Sequence, residues 1–244
     1  LLIKEELKPE TSWNGNLNYV KKFLFMNNAF LSFDFSGFYT YFTNQILPDY
    51  DSDPNSIIYD NLKGYSISKG ISLNTDYSLN NTLNINTGLT VMDVSFTEGD
   101  VTQRQILSER FTSTWGVTYK LKKHNLKFDY TGNLFGPMLL PLLGEKDPRD
   151  AKSPYWSIQN IQATKTFKNG FEIYIALKNL LNFTPPANSI WAAHDPFDKL
   201  NNSDSSNPIE DPADPYNLGF DPAYMYAPNQ GIRGNFGFRF SFNK

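Results

Sequence analysis

The feature that most constrains this chain is an alternation of apolar and polar residues that recurs along most of its 244 residues. The final stretch shows it most clearly. There one parity carries Phe236, Phe238, Phe240 and Phe242, and the other carries Asn235, Gly237, Arg239 and Ser241. Successive side chains of a β-strand point to opposite faces of a sheet, so each parity belongs to one face. The pattern predicts an all-β fold.

Nine segments carry this alternation, and most are about 10 to 15 residues long. They are Thr11–Phe23, Ala29–Asn44, Tyr65–Leu79, Thr82–Val94, Arg110–Leu121, Asn125–Leu134, Trp156–Phe167, Phe171–Leu181 and Ile232–Phe242. Strands of soluble sheets usually have ~5–6 residues, whereas a tilted membrane-spanning strand needs ~9–11. Aromatic residues such as Trp13, Tyr41, Tyr65 and Trp156 recur near the segment ends, as in the girdles of a membrane barrel. We expect an antiparallel transmembrane β-barrel; the alternative is a large secreted β-sandwich.

The connections between the segments alternate between short and long. The short ones are Leu24–Asn28, Asn80–Asn81, Lys122–His124 and Lys168–Gly170, and the long ones are Gln45–Gly64, Ser95–Glu109, Phe135–Tyr155 and Asn182–Gly231. Outer-membrane barrels have short periplasmic turns and long extracellular loops, and a one-chain bacterial barrel has an even number of strands. Nine strands are an odd number. We therefore expect residues 1–244 to be the C-terminal portion of a single, larger outer-membrane barrel domain.

Composition and motifs exclude several other functions. The 22 Lys and Arg residues against 25 Asp and Glu give a net charge of −3, so no basic excess favours a nucleic-acid partner. The chain has no cysteine, which excludes a disulfide scaffold or a thiolate metal site. The two histidines, His124 and His194, lie far apart in a predicted turn and a predicted loop, and no H-E-x-x-H, G-x-S-x-G, Walker or G-x-G-x-x-G motif occurs. We expect no enzymatic activity and no cofactor.

The long segment Asn182–Gly231 carries the candidate ligand-binding residues. They are Trp191, His194, Phe197, Tyr216, Tyr224 and Tyr226. Aromatic rings bind ligands by stacking, and a long loop without secondary structure is often functional. A simpler interpretation is that part of this set packs the loop against the barrel mouth. The same segment is rich in carboxylates, which suit a cation or a solvated surface; no calcium-loop spacing occurs, so a metal site stays unknown.

Three stretches resemble TonB-dependent outer-membrane receptors. FEIYIALKNLLNFT, from Phe171, resembles their penultimate strand, with the N-L-x-N signature at Asn179, Leu180 and Asn182. LKPETSWNGNLNY, from Leu7, is similar to a strand start in the middle of these barrels, and YAPNQGIRGNFGFRFSF, from Tyr226, resembles their closing strand. Together with Asp221-Pro222, these stretches are typical of receptors from the Bacteroidetes group. The family fold is a 22-stranded barrel with a plugged lumen, so the resemblance implies that this chain holds about nine of its strands.

The resemblance also implies a function, partners and a location. A receptor of this family sits in the cell outer membrane and imports a scarce ligand with energy transmitted by a periplasmic TonB-type protein. We rank metal chelates of the siderophore, haem or cobalamin class first. The implied partners are the TonB-type protein, outer-membrane lipid and the small-molecule ligand, with a surface lipoprotein as a further candidate. The alternative function is a structural or assembly-associated barrel that binds other envelope proteins and does not transport.

Overall fold

The computed structural model describes residues 2–3, 7–26, 28–49, 58–140, 150–168, 170–185 and 226–241. These residues form an all-β structure whose one helical element is the 3-10 turn Lys122–His124. The strands are β1 (Leu2–Ile3), β2 (Ser12–Leu24), β3 (Ala29–Phe42), β4 (Ile46–Asp49), β5 (Ile58–Asn61), β6 (Gly64–Leu79), β7 (Leu83–Glu98), β8 (Val101–Arg104), β9 (Phe111–Leu121), β10 (Leu126–Phe135), β11 (Trp156–Thr166), β12 (Phe171–Lys178) and β13 (Arg233–Phe240). No helix in this part of the chain is long and apolar enough to cross a membrane.

Nine long strands form one antiparallel sheet in the order β13-β12-β11-β10-β9-β7-β6-β3-β2. These are the nine strands predicted from the alternation, and each pairs with its neighbour along the chain. The described sheet is open, with β2 and β13 at its two edges. Because neighbours along the chain are neighbours in space, the sheet has an up-and-down meander topology, as expected for part of a barrel wall.

The short connections are tight turns built on residues in the left-handed region. Asn80 and Asn81 both have positive φ, at 49° and 53°, as the two central residues of a type I′ turn require, and the Thr82 N–H donates to the Leu79 carbonyl at 2.8 Å. Asn28, Asn125 and Gly170 supply positive φ in the other three turns. Asparagine and glycine adopt this conformation at the lowest cost. All four turns lie at the same end of the strands, which we call the turn end. The opposite end of the strands, with the long connections, is the loop end.

The structure adds detail in the long connections that the sequence did not predict. The predicted loop Gln45–Gly64 contains β4 and β5, which pair with each other, and β5 also pairs with β1. The predicted loop Ser95–Glu109 begins inside β7, which continues to Glu98 and folds back onto itself through β8. The predicted strand Phe171–Leu181 ends earlier, at Lys178, because Asn179 turns the chain with a φ of 53°.

The strand register carries each parity across the whole sheet. Leu73 of β6 pairs with Phe35 of β3 and Leu89 of β7, while the next residue, Asn74, pairs with Asp34 and Gly88. The same alternation continues to the last strand, where Phe236 pairs with Ile175 and Asn235 pairs with Ala176. The sheet therefore has one apolar face and one polar face, as the sequence predicted.

The apolar face is largely exposed. Trp13, Leu17, Phe236 and Phe238 on this face are 68–77% exposed. A secreted β-sandwich would bury such a face against a second sheet, and no second sheet covers it within the described residues. Half-buried rings also meet at both ends of this face. Tyr41 stacks on Tyr65 at the loop end, with centroids 5.3 Å apart, and Phe171 contacts Phe167 at the turn end. This arrangement fits a lipid-facing surface with two aromatic girdles.

Candidate functional site

The polar face is a wall of side chains that hydrogen-bond across the strands. Thr118 donates to Asp129 at 2.7 Å, and the Lys127 ammonium lies 2.9 Å from the other carboxylate oxygen of Asp129. Nearer the β2 edge, the Asn14 amide donates to Thr40 at 2.6 Å. These bonds hold neutral amides and hydroxyls in place on a surface that also carries charge. Such a face suits a water-filled lumen or a polar partner inside a barrel.

An open depression of about 470 Å³ lies in this wall, between β6, β7 and β9. Its lining residues are Asn74, Asp76, Asn86, Thr87, Gly88, Thr114, Trp115 and Gly116. The two glycines leave the space open: a Cβ at Gly88 would lie 2.8 Å from Thr114 Oγ1 and 3.0 Å from Asn74 Oδ1. The Asn86 amide donates to Asp76 at 3.3 Å. The depression offers hydrogen-bond donors and acceptors, and no described group of three or more His, Asp or Glu residues is placed to hold a metal ion.

A stack of aromatic rings lies at the loop end of β10 and β11. Trp156 is 7% exposed and stacks on Phe135 with centroids 4.1 Å apart. Phe183 stacks on the same indole at 5.9 Å, and Tyr226 approaches it at 6.4 Å. Phe183 and Tyr226 lie on either side of the long segment 186–225. The stack therefore joins the two ends of this segment to the rigid sheet.

Two asparagines of the N-L-x-N signature tie the same two chain ends together. The Asn179 amide nitrogen donates to the carbonyls of Phe183, at 2.7 Å, and Gln230, at 2.9 Å, and its oxygen accepts the Phe183 N–H at 3.0 Å. The Asn182 side-chain oxygen accepts the Ile232 N–H at 2.8 Å. A Cβ at position 231 would overlap that Asn182 oxygen, so glycine there permits the close approach. We call Asn179 and Asn182 the asparagine clamp.

Of the six predicted ligand-binding residues, the structure describes Tyr226. It lies in the ring stack beside Trp156, at the base of the loop. The other five predicted residues are outside the described residues; they are Trp191, His194, Phe197, Tyr216 and Tyr224. Their ligand-binding role remains a prediction.

Sequence reasoning misplaced Trp156 and missed the role of Asn179. Trp156 was assigned to the lipid-facing girdle because it begins a strand. However, Trp156 has the same parity along β11 as Asn160 and Gln162, so it lies on the polar face. Counting residues from Asn160 and Gln162 in the sequence would have predicted that face. Asn179 was noted as part of a family signature. Its burial, at 4% exposed, and its three side-chain hydrogen bonds give that signature a structural reason.

The fold and the two faces of the sheet define the class of protein, which is an antiparallel β-barrel of the outer-membrane type. The described strands form part of the barrel wall. Residues 4–180 match the family model described as "TonB dependent receptor-like, beta-barrel". The chain belongs to this family. The family consists of receptors located in the outer membrane and not of enzymes, in agreement with the expectation from the absence of catalytic motifs.

Solved structures of receptors and transporters share the fold at low sequence identity. The ferric-catecholate import receptor Fiu of E. coli K12 matches 95% of this chain with 10% identity and a TM-score of 0.60. The copper transporter OprC matches 98% with 15% identity and a TM-score of 0.62, and the ferric yersiniabactin uptake receptor FyuA of Yersinia pestis matches 96% with 13% identity and a TM-score of 0.60.

The matched region is a part of each of those receptors. The chain spans 28% of the Fiu chain, 32% of the OprC chain and 30% of the FyuA chain. A comparison with curated protein sequences finds no match. The three structures give no support to the expected Bacteroidetes origin.

Proposed function

We propose that residues 1–244 form the C-terminal portion of the barrel of an outer-membrane receptor that imports a scarce ligand by TonB-dependent, energised uptake. The turn end faces the periplasm and the loop end faces the outside, because barrels of this type keep their short turns on the periplasmic side. The long segment between β12 and β13 then lies at the extracellular mouth. There it contributes the aromatic residues that capture the ligand.

The observation that carries this proposal is the anchored base of the long segment. The asparagine clamp and the Trp156 ring stack hold both chain ends against the sheet at the loop end. Binding residues are commonly carried by loops that a rigid scaffold positions, because the scaffold sets the loop ends while the tips adapt to the ligand. A purely structural barrel has less need to fix the base of one long, ring-rich segment in this way.

The ligand class we rank first is a metal chelate of the siderophore, haem or cobalamin type. The names of Fiu and FyuA state that these receptors import ferric chelates, and OprC is named as a copper transporter. The aromatic residues Trp191, His194 and Phe197 provide flat apolar surfaces that suit catecholate or macrocyclic ligands. A net negative charge on the loop favours chelates that carry little negative charge of their own.

The partners follow from this function. A periplasmic TonB-type protein couples energy through a part of the receptor outside residues 1–244, and outer-membrane lipid contacts the apolar face. A surface lipoprotein is a further candidate partner. We also propose that the receptor is of the Bacteroidetes type, because the Asp221-Pro222 stretch and its neighbours resemble receptors of that group.

Ligand titration of the purified full-length receptor tests the function. Tryptophan fluorescence is followed while a ferric catecholate, a ferric hydroxamate, haem, cobalamin and a maltooligosaccharide are added separately. We expect submicromolar binding of one of the four metal chelates and no saturable binding of the oligosaccharide. Tight binding of the oligosaccharide alone would move the ligand class to glycans. Failure of all five to bind would favour the structural barrel.

A further inference from the structure

Three polar side chains meet around a glycine on the apolar face of the sheet. Gly132 of β10 pairs with Trp115 of β9 and with Gln159 of β11. A Cβ at position 132 would overlap the Trp115 indole, so the indole lies over this glycine. The Tyr130 hydroxyl donates to Gln159 Oε1 at 2.7 Å, and the Tyr130 ring centroid is 6.4 Å from that of Trp115. We call Trp115, Tyr130 and Gln159 the polar triad.

The strand register places the polar triad among apolar side chains. Leu89 of the apolar face pairs with the residue two positions before Trp115, so the Trp115 side chain lies on that face. Val117 and Ile161 pair with Tyr130 from the two neighbouring strands and carry apolar side chains on the same face. The triad is therefore a polar site inside an otherwise apolar surface, on the opposite side of the sheet from the depression described above.

The polar triad also lies at a height where the bilayer is hydrocarbon. Gln159 is seven residues from the turn end of β11 at Thr166, and Trp115 is six residues from the turn end of β9 at Leu121. At ~3.3 Å per residue and a strand tilt of about 40°, these positions are roughly 18 Å and 15 Å above the turn end. Both heights fall inside the ~25 Å apolar band of an outer-membrane barrel, whichever end of the sheet faces outward.

The polar triad has hydrogen-bonding capacity that the described part of the chain does not use. The Trp115 indole N–H has no acceptor among the described residues. The Gln159 amide nitrogen donates one of its two hydrogens to Ser157 Oγ at 3.2 Å, and Gln159 Oε1 can accept a second bond beside the one from Tyr130. Trp115 and Gln159 are half-buried, so their polar atoms can be reached from outside the sheet.

A second copy of the same surface satisfies these groups, whereas acyl chains do not. Lipid tails offer no hydrogen-bond partner, and an unsatisfied polar group in hydrocarbon costs several kcal/mol. The donor of Trp115 and the acceptor of Gln159 lie on opposite sides of Gly132. A two-fold axis at Gly132 therefore places each donor opposite the other copy's acceptor, as an isologous interface requires. Gly132 and its neighbour Ser113 are small, which lets two walls approach closely.

We propose that the polar triad is the centre of an interface through which two copies of the receptor associate side by side in the membrane. The Trp115 indole of each copy donates to the Gln159 side-chain oxygen of the other copy. The apolar residues Val117 and Ile161 pack around this polar centre. The interface goes beyond the proposed uptake function, because it requires the membrane-spanning barrel and not a particular ligand.

Native mass spectrometry of the purified full-length receptor in a mild detergent tests the interface through the dimer fraction. We expect a dimer, and Gln159→Leu should weaken its association constant about tenfold, because each of two symmetric hydrogen bonds is lost. The matched control Gln162→Leu changes the same residue type on the polar face of the same strand, where Gln162 donates to Thr164 at 3.1 Å, and should leave the dimer unchanged. A monomeric receptor, or equal dimerisation of the two variants, would overturn the proposal.

Photo-crosslinking in the native membrane tests the same interface with the polar triad intact. Leu134 lies two residues after Gly132 on β10 and is replaced by the photoreactive residue benzoylphenylalanine. Illumination should give a covalent product of twice the receptor mass, and the same replacement of Leu17, an exposed apolar residue on the distant strand β2, should not. Products of position 134 with lipid alone, or with a different protein, would contradict the two-copy interface. Neither measurement depends on transport, so failure of the interface and failure of the uptake function are distinguishable.

Discussion

The side-chain amide of Asn179 donates a hydrogen bond of 2.9 Å to the carbonyl of Gln230, fifty-one positions further along the chain. The bond joins the end of β12 to the chain that leads into β13, across the base of the long segment. Asn179 is buried and in the left-handed conformation, at a φ of 53°. Asn179 therefore ends β12 and turns the chain through its backbone conformation, and its side chain closes the base of the long segment.

Asn179→Ala should destabilise this loop base. The variant loses the three side-chain hydrogen bonds of a buried asparagine, at a cost of about 2–4 kcal/mol. Limited proteolysis of the full-length receptor in membranes should show faster cleavage between β12 and β13. Asn235→Ala, an exposed asparagine on the polar face of β13, is the control and should keep the original cleavage rate. Equal cleavage of the two variants would mean that the clamp does not hold the loop.

The two faces of β13 should respond differently to the same new charge. Phe236 and Asn235 are adjacent, and their side chains point to the apolar and polar faces. Phe236→Arg should cost about 2–4 kcal/mol if the residue lies near the bilayer midplane, whereas Asn235→Arg should cost less than about 1 kcal/mol. Urea unfolding of the full-length receptor in lipid vesicles measures both free energies of unfolding. The reverse order would place the strand one residue out of register.

Cysteine labelling should distinguish the two ends of the sheet. The chain has no cysteine, so Lys123→Cys in the turn between β9 and β10 and Asp100→Cys in the turn between β7 and β8 introduce single sites in this part of the receptor. In intact cells a membrane-impermeant maleimide should label position 100 rapidly and leave position 123 unlabelled until the outer membrane is opened. Labelling of position 123 alone would invert the orientation.

The aromatic residues of the long segment should matter for ligand binding and not for assembly of the barrel. Replacing Trp191, His194 and Phe197 together with alanine removes the predicted stacking surface and leaves the asparagine clamp intact. We expect at least about tenfold weaker chelate binding, since each lost aromatic contact contributes on the order of 1 kcal/mol. Binding is measured by titration at matched surface abundance. Unchanged affinity would mean that this segment is a solvated loop that does not bind the ligand.

Much of the fold followed from the parity of a few strands. The alternation of Phe236, Phe238 and Phe240 with polar residues predicted the two faces, and Asn80-Asn81 predicted a tight turn, because these signals depend on local backbone geometry. The hairpin of β7 and β8 was missed, since Val101–Arg104 is short and its pairing depends on a fold-back rather than on periodicity.

The candidate site was less predictable than the sheet. Tyr226 is predicted to bind the ligand, and the structure places it beside Trp156 at the loop base; its role in binding stays a prediction. Sequence reveals that a ring is present, but contacts between residues as distant as Trp156 and Tyr226 depend on the tertiary fold. The contacts of Asp93 with Arg104 and Arg110 were missed for the same reason: these residues meet only after β8 folds back onto β7.

Energised accumulation of the ligand tests the central claim most directly. Cells that lack the receptor gene are complemented with the full-length receptor and given the radiolabelled metal chelate that binds in the titration. The account predicts uptake above the uncomplemented cells, loss of that uptake when the proton-motive force is collapsed, and continued surface binding in the collapsed state. Uptake that is equal with and without the receptor, or that continues unchanged after collapse, would contradict a TonB-dependent import function.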